Sequence, residues 1–285
     1  MSLKLQICTL LFIILFIPVS NAQNSRGEYG VYNTVLGSVV GGVGAVINKK
    51  PDEKFGKVLF KGMWQGALGG FIVHESKMLI GKISEENSFQ YSWYSKFVNA
   101  AGNSIIENAA MNRNFYDQWN INFGFNRFEF HTKDKFGFRY KVMPVSLVLT
   151  GYVAVQSKFE WEKSLQTGEM IFSTGSSKFS GIDYAGVTIG TAVVMNSDYI
   201  NDKATYGHEF IHVYQYYDYN FVNTFVHDPV YKLTDKWLGK ANKFIYYDFN
   251  SAVLDVLYSI EYEDVEHYYD NFFEREAALY SHTLH

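Results

Sequence analysis

The chain has one cysteine in 285 residues, and that one, Cys8, lies inside an apolar leader. Beyond that leader no disulfide can brace the fold and no thiol can serve as a nucleophile. Basic residues are scarce as well. Lys and Arg total 25 against 29 Asp and Glu, with no Lys/Arg block, which argues against nucleic acid as a partner. There is no G-x-S-x-G elbow, and no glycine-rich stretch ends in the Lys-Ser/Thr of a phosphate loop. Charged residues are only 19 % of the chain and apolar residues 47 %, a balance that excludes a disordered protein. What is abundant is aromatic surface. With 24 Phe, 22 Tyr and 5 Trp, the chain can fill a large core or line a groove with rings.

Residues 1–22 read as a secretory signal peptide: Lys4, an apolar run over 7–17, Pro18, then Ser20-Asn21-Ala22 placing small residues at a cleavage site before Gln23. The run is too short to span a bilayer. The expectation is an exported protein of the periplasm, cell envelope or exterior.

Residues 23–112 form a glycine-rich helical region. Gly37, Gly41, Gly42 and Gly44 sit in an apolar run over 35–47, a polar link covers 48–54, and Gly62, Gly66 and Gly70 follow four apart. Glycines at that spacing share one helix face and let two backbones approach closely. Two soluble helices packed on these faces are expected, since neither run reaches spanning length; membrane association through them is the alternative. The pattern Ser104-Ile105-Ile106-Glu107 predicts a further short helix.

From Trp119 the period changes to two. Ile121, Phe123 and Phe125 alternate, the pattern slips near Asn126-Arg127 as at a bulge, and Phe128 and Phe130 resume it. Lys133-Asp134-Lys135 predicts a turn, followed by a strand carrying Phe136, Phe138, Tyr140 and Val142. Further strands are predicted over 145–155, 158–161, 170–173 and 187–195, and a turn at His227-Asp228-Pro229. The expected architecture is α+β: an antiparallel aromatic-rich sheet, with glycine-rich helices before it and a helical part after residue 202. Residues 113–285 would form one globular unit with 23–112.

One motif carries chemistry. Residues 208–212 read His-Glu-Phe-Ile-His, an H-E-x-x-H sequence. Asp202 can cap a helix on which Tyr206, Phe210, Val213 and Tyr217 repeat at helical spacing. His208 and His212 then lie one turn apart and can reach one ion, while Glu209, displaced around the helix, can meet a metal-bound water. The plainer reading is a surface helix with incidental histidines. Ile211 and Tyr214 argue for burial, however, and two buried imidazoles flanking a carboxylate need a partner. His74-Glu75 is followed by Met78 at the second-histidine position and reads as ordinary.

The segment Asn271-Phe272-Phe273-Glu274-Arg275-Glu276-Ala277-Ala278 reads as helical. From the strand at 187–195 to the C-terminus the chain resembles the zincin metallopeptidases of gluzincin type, in which a second helix supplies a glutamate within Glu-x-x-Ala-Asp. The resemblance nominates Glu274 as third ligand. Ala278 stands where the aspartate is usual, so a supporting carboxylate must come from elsewhere. Rival readings stand beside it: Asn271-x-x-Glu274 is also a helix-capping arrangement, and Glu276, Asp264, Glu266, His267 and His282 are ligand types too.

The resemblance implies Zn2+ on His208, His212 and Glu274, Glu209 as general base, and a peptide or protein substrate. It also implies that the strand at 187–195 holds an extended peptide, with Gly186 and Gly190 permitting close approach, and that a Tyr or His stabilises the oxyanion. Tyr214, Tyr216, Tyr217 and Tyr219 are candidates, each also a reasonable core residue. Two other functions compete: a non-catalytic envelope protein braced by a metal, and a membrane-associated structural protein whose glycine-rich helices are the working part.

Overall fold

The computed structural model describes residues 25–176, 178–179, 182–219, 223–225, 238–241, 243–263 and 268–283. Within it three long helices come first: α1 (Arg26–Ile47), α2 (Phe55–Glu85) and α3 (Gln90–Ala110). Ser25 and Glu28 close a capping box at the start of α1. The glycines of α1 and α2 then meet. A Cβ added at Gly66 would stand 2.0 Å from the carbonyl oxygen of Gly37, and one at Gly70 would stand 2.1 Å from that of Asn33. Backbone therefore lies on backbone, a separation that side chains would forbid. α1, at 22 residues, is longer than its 13-residue apolar run. By length and composition it could cross a membrane, though 44 % of its apolar window is buried within the protein.

Ser104 does not open a new helix. It lies inside α3 and donates its hydroxyl to the Ala100 carbonyl, a bond that a mid-helix serine can make without breaking the turn.

Strands β1 (Gln118–Phe123), β2 (Asn126–His131) and β3 (Gly137–Val142) form an antiparallel sheet in sequence order. The slip near Asn126 is a tight turn and not a bulge: Phe123 pairs with Asn126 across Gly124-Phe125, with Gly124 at φ 54°. The next stretch corrects the sequence reading outright. Residues 145–155, predicted as a strand, belong to helix α4 (Pro144–Ala154). Pro144 fits the first turn, where its missing N–H costs nothing, and the Asp248 carboxylate accepts the free N–H groups of Val145 and Ser146.

After α4 come β4 (Lys158–Phe159), α5 (Trp161–Thr167), β5 (Met170–Thr174), β6 (Lys178–Phe179), β7 (Ile182–Asp183), β8 (Gly186–Ile189) and β9 (Ala192–Asn196). Trp161 thus starts a helix. The strand expected over 187–195 is instead a hairpin, turned at Gly190 with φ 63°. The sheet it joins has the order β4-β5-β9-β8 and is mixed, because β5 and β9 run parallel. Strands β6 and β7 pair separately. The single antiparallel sheet of the sequence reading is therefore three sheets, two antiparallel and one mixed.

The remainder is helical: α6 (Lys203–Asp218), α7 (Leu238–Ala241), α8 (Asn250–Glu263) and α9 (Phe272–Ser281). The leader with Cys8, the turn at 227–229, and Asp264, Glu266 and His267 lie outside the described residues. Helix α6 runs through the main core, where Tyr206, Phe210, Ile211 and Val213 pack with Tyr29, Ile80 and Tyr280 from α1, α2 and α9.

The three-stranded sheet has unequal faces. Its outward side carries Trp119, Ile121 and Phe123 from β1, Phe128 and Phe130 from β2, and Phe138, Tyr140 and Val142 from β3; Asn126 is the polar member. Its inward side is polar. Gln118, Asn120, Arg127, Glu129 and Lys141 are buried there under α3. Arg127 bonds Glu107 of α3 at 2.6 Å and Glu129 at 2.9 Å, with its guanidinium 3.8 Å over the Tyr246 ring.

Candidate metal centre

Asp202 caps α6 as its position suggested, accepting from the N–H groups of Ala204 and Thr205. One turn further on, His208 and His212 point their Nε2 atoms at each other, 3.2 Å apart. Helix α9 brings Glu274 to the same point. Its Oε2 lies 3.1 Å from His208 Nε2 and 3.4 Å from His212 Nε2. The three side chains converge from two helices 62 or more residues apart in sequence, so only tertiary packing sets this triangle.

The hydrogen bonds around the triangle fix its polarity. Gln215 donates its amide N–H groups to the Phe273 carbonyl and to Glu276, each at 2.9 Å, which leaves its oxygen facing His212. His212 Nδ1 must then donate, at 2.8 Å, so a neutral ring presents its Nε2 lone pair to the centre. His208 Nδ1 faces the Thr283 hydroxyl. Two imidazole nitrogens and a carboxylate oxygen thus converge on one spot, a group that could hold a cation. A tetrahedral zinc with ligands at about 2.0–2.1 Å spaces them about 3.3 Å apart, which the observed 3.1, 3.2 and 3.4 Å edges match. A proton is the other cation that fits. Burial opposes charge on His212, but the Glu274 and Glu209 carboxylates outweigh it and push the ring up to about 9. Burial likewise opposes charge on Glu274, and the two histidines hold it far below the usual carboxylate range.

The described rivals of Glu274 are placed elsewhere. Asn271 does cap α9, accepting from the N–H groups of Phe273 and Glu274, while the Glu274 carboxylate turns to the histidines. Glu276 also reaches α6, but at Gln215 and on the far side from the triangle. There it accepts from Lys77 at 2.8 Å, and Lys77 reaches Asp218 at 2.5 Å. His282 is held by Arg26 and Glu85. His74 bonds the Tyr280 hydroxyl, as befits an ordinary histidine.

Glu209 stands outside the ligand triangle. Its Oε2 accepts from Thr188 of β8 at 2.7 Å. Gly186 makes room for it, because a Cβ there would lie 2.7 Å from Glu209 Cγ. The four tyrosines named from the sequence are core residues: Tyr216 donates to Asp248, Tyr219 pairs with Tyr32, and Tyr214 and Tyr217 are buried. The tyrosines at the centre are two others. Tyr258 of α8 donates to Glu274 Oε1 at 2.8 Å, and Tyr268, half-exposed, lies close enough to feel the same carboxylate. Nothing local in the sequence singles these out, nor Gln215 and Thr188, because each is brought in by packing. No family model, curated protein or solved structure matches the chain.

Proposed function

We propose that the chain is an exported zinc-dependent hydrolase of peptides or proteins, with a zincin-like centre. The observation that carries this reading is the triangle of His208, His212 and Glu274, whose edges fit a tetrahedral ion. When bound there, zinc supplies a Lewis acid that lowers the pKa of a coordinated water and polarises a carbonyl. The chain's own residues do the rest. Glu209, outside the ligand set and steadied by Thr188, takes the proton of the attacking water and returns it to the leaving amine. Tyr268, half-exposed beside Glu274, is the hydroxyl best placed to donate to a developing oxyanion. Strand β8, outermost in its sheet and touching Glu209, offers its backbone to an extended substrate. The leader over residues 1–22 supports export.

The test is zinc per chain, measured in the wild type and in His208→Ala, Glu274→Ala and Glu209→Gln. One zinc is expected in the wild type and in Glu209→Gln, with loss in the other two. Hydrolysis of a cleaved peptide should vanish in Glu209→Gln. Retained hydrolysis in that variant would remove the proposed base, and a zinc-binding chain that cleaves nothing would leave the metal as a brace between α6 and α9.

A further inference from the structure

Antiparallel sheets in water-exposed domains turn their apolar face to the core and their polar face outward. The β1-β2-β3 sheet does the opposite. Its polar face is the buried one, with Arg127, Glu129 and Lys141 paired beneath it, and its aromatic face turns away from α3, with Trp119, Ile121, Phe123, Phe128 and Phe130 half-buried. The pairing register is continuous over all three strands, so the inversion belongs to the whole face and not to one misplaced residue. Among the described residues, no outward side chain of this sheet joins either hydrophobic cluster. Phe136, Phe138 and Tyr140 remain 74 %, 56 % and 41 % exposed.

Three observations say what covers this face. The first is area: three strands of six residues span about 14 by 20 Å, or about 280 Å², using ordinary strand spacing and rise. A stable protein partner takes about 800 Å² from each side, more than this sheet face alone offers. A bilayer sets no such minimum. The second is residue type, since Trp, Tyr and Phe at an uncharged face are the side chains that settle at a membrane boundary.

The third is the rim. Lys133 and Lys135 flank Asp134 in the turn between β2 and β3, next to Phe136, with Lys133 3.9 Å from the Asp117 carboxylate and Lys135 turned to no acid among the described residues. Lys57 and Lys61 of α2 gather at the same end, interspersed with Glu53 and Asp117. A helical stripe continues the apolar surface: Phe60, Trp64, Leu68 and Phe71 are exposed along α2, and Trp64 meets the sheet end through the rings of Phe115 and Tyr116.

We propose that the outward face of this sheet docks on a bilayer surface containing anionic phospholipid. The aromatic side chains enter the acyl boundary and the lysines of the β2–β3 turn meet the headgroups. The docking is peripheral, and it stands independently of the hydrolase reading.

The test uses the full purified chain with two sets of vesicles, phosphatidylcholine alone and phosphatidylcholine with about one third phosphatidylglycerol. Wild type is compared with Phe130→Ser/Phe138→Ser, with Lys133→Glu/Lys135→Glu, and with the single change Phe136→Ser in the exposed turn. Wild type is expected to partition onto the mixed vesicles. The Phe pair should weaken partitioning by about tenfold or more, and Phe136→Ser should weaken it less with an unchanged thermal midpoint. The Lys pair should lose the preference for phosphatidylglycerol.

Equal partitioning of wild type and the Phe pair would overturn the proposal, because binding would then run through another apolar segment. So would absence of wild-type binding. A lowered thermal midpoint in Phe136→Ser would overturn it by showing that protein covers the face. Sedimentation of a wild-type dimer that the Phe pair abolishes, without vesicle binding, would replace the bilayer with a second copy.

Discussion

The contact between α1 and α2 makes a sharp prediction, because two glycines of the same helix should respond to alanine with opposite signs. At Gly66 the new Cβ would stand 2.0 Å from the Gly37 oxygen, 2.8 Å from the Gly37 carbonyl carbon and 3.1 Å from Gly41 Cα. These are backbone atoms, with no rotamer to turn aside. Relief requires the helices to part by about 1 Å, which loosens a long contact that is close-packed along its length. Overpacking against backbone that cannot turn aside costs about 3 kcal/mol, the upper end of the usual range, and the better helix propensity of alanine returns only about 1 kcal/mol. A net loss of about 2 kcal/mol is expected, or a midpoint lowered by about 4–8 °C for a chain of this size. At Gly56 an added Cβ meets nothing within 4 Å. Gly56→Ala should therefore stabilise, by about 0.5–1 kcal/mol. Thermal unfolding followed by far-ultraviolet circular dichroism measures both. If Gly66→Ala is tolerated as well as Gly56→Ala, the helices are not packed backbone to backbone and the reasoning fails.

The other predictions concern the two buried polar networks. Gln215→Leu removes the acceptor that orients His212 while leaving all three proposed ligands, and on the proposed zinc reading should weaken zinc binding by about 10–100-fold in competition with a chelator; unchanged affinity would deny Gln215 that role. Lys77→Met leaves Glu276 and Asp218 without their buried cation, and should lower both the thermal midpoint and the zinc affinity, since Glu276 steadies Gln215. Burial opposes charge on Glu129, yet Arg127 and Lys141 outweigh it and bring its carboxyl down to about 2. Its folded pKa lies below its unfolded one, so its contribution, about 3 kcal/mol, is complete above about pH 4.5 and disappears as the pH falls toward 2. Glu129→Gln should flatten the acid limb of a stability profile in that window, and an unaltered limb would assign the acid transition to other groups.

How much of this was legible in the chain depends on how local each feature is. His208, His212 and Glu209 share one helix, so their spacing alone sets their relative directions, and Asp202 announces where that helix begins. Glu274 could be nominated but not chosen over Glu276. Both touch α6, one at the histidines and the other at Gln215, and only the placement of α2 with Lys77 shows which side is which. Nothing in the sequence marks Lys77, which is fully buried between two carboxylates. α4 was misread because a continuous apolar run with several valines suits a buried strand as well as a helix. Its first free N–H groups go to Asp248, 103 and 102 residues away, which no local pattern announces.

The three-stranded sheet shows a subtler gap between pattern and structure. Alternation of period two says that one face is aromatic and the other polar, and the strands were legible on that ground. It does not say which face the rest of the protein will occupy. The usual inference, aromatic inward, rests on the cost of leaving rings in water. Here that preference loses to a polar assembly that cannot be left half-made. Glu107 on α3 presents a buried carboxylate, which needs Arg127, and Arg127 with Lys141 needs Glu129. Once those charges are committed beneath the sheet, strand geometry sends Phe128, Phe130 and Phe138 outward, whatever they cost in water. A chain that retains such a face has a use for it. A low-dielectric surface that accepts rings without requiring a large matched interface removes the cost, which is why the aromatic side of this sheet and the charged side are best understood as one feature.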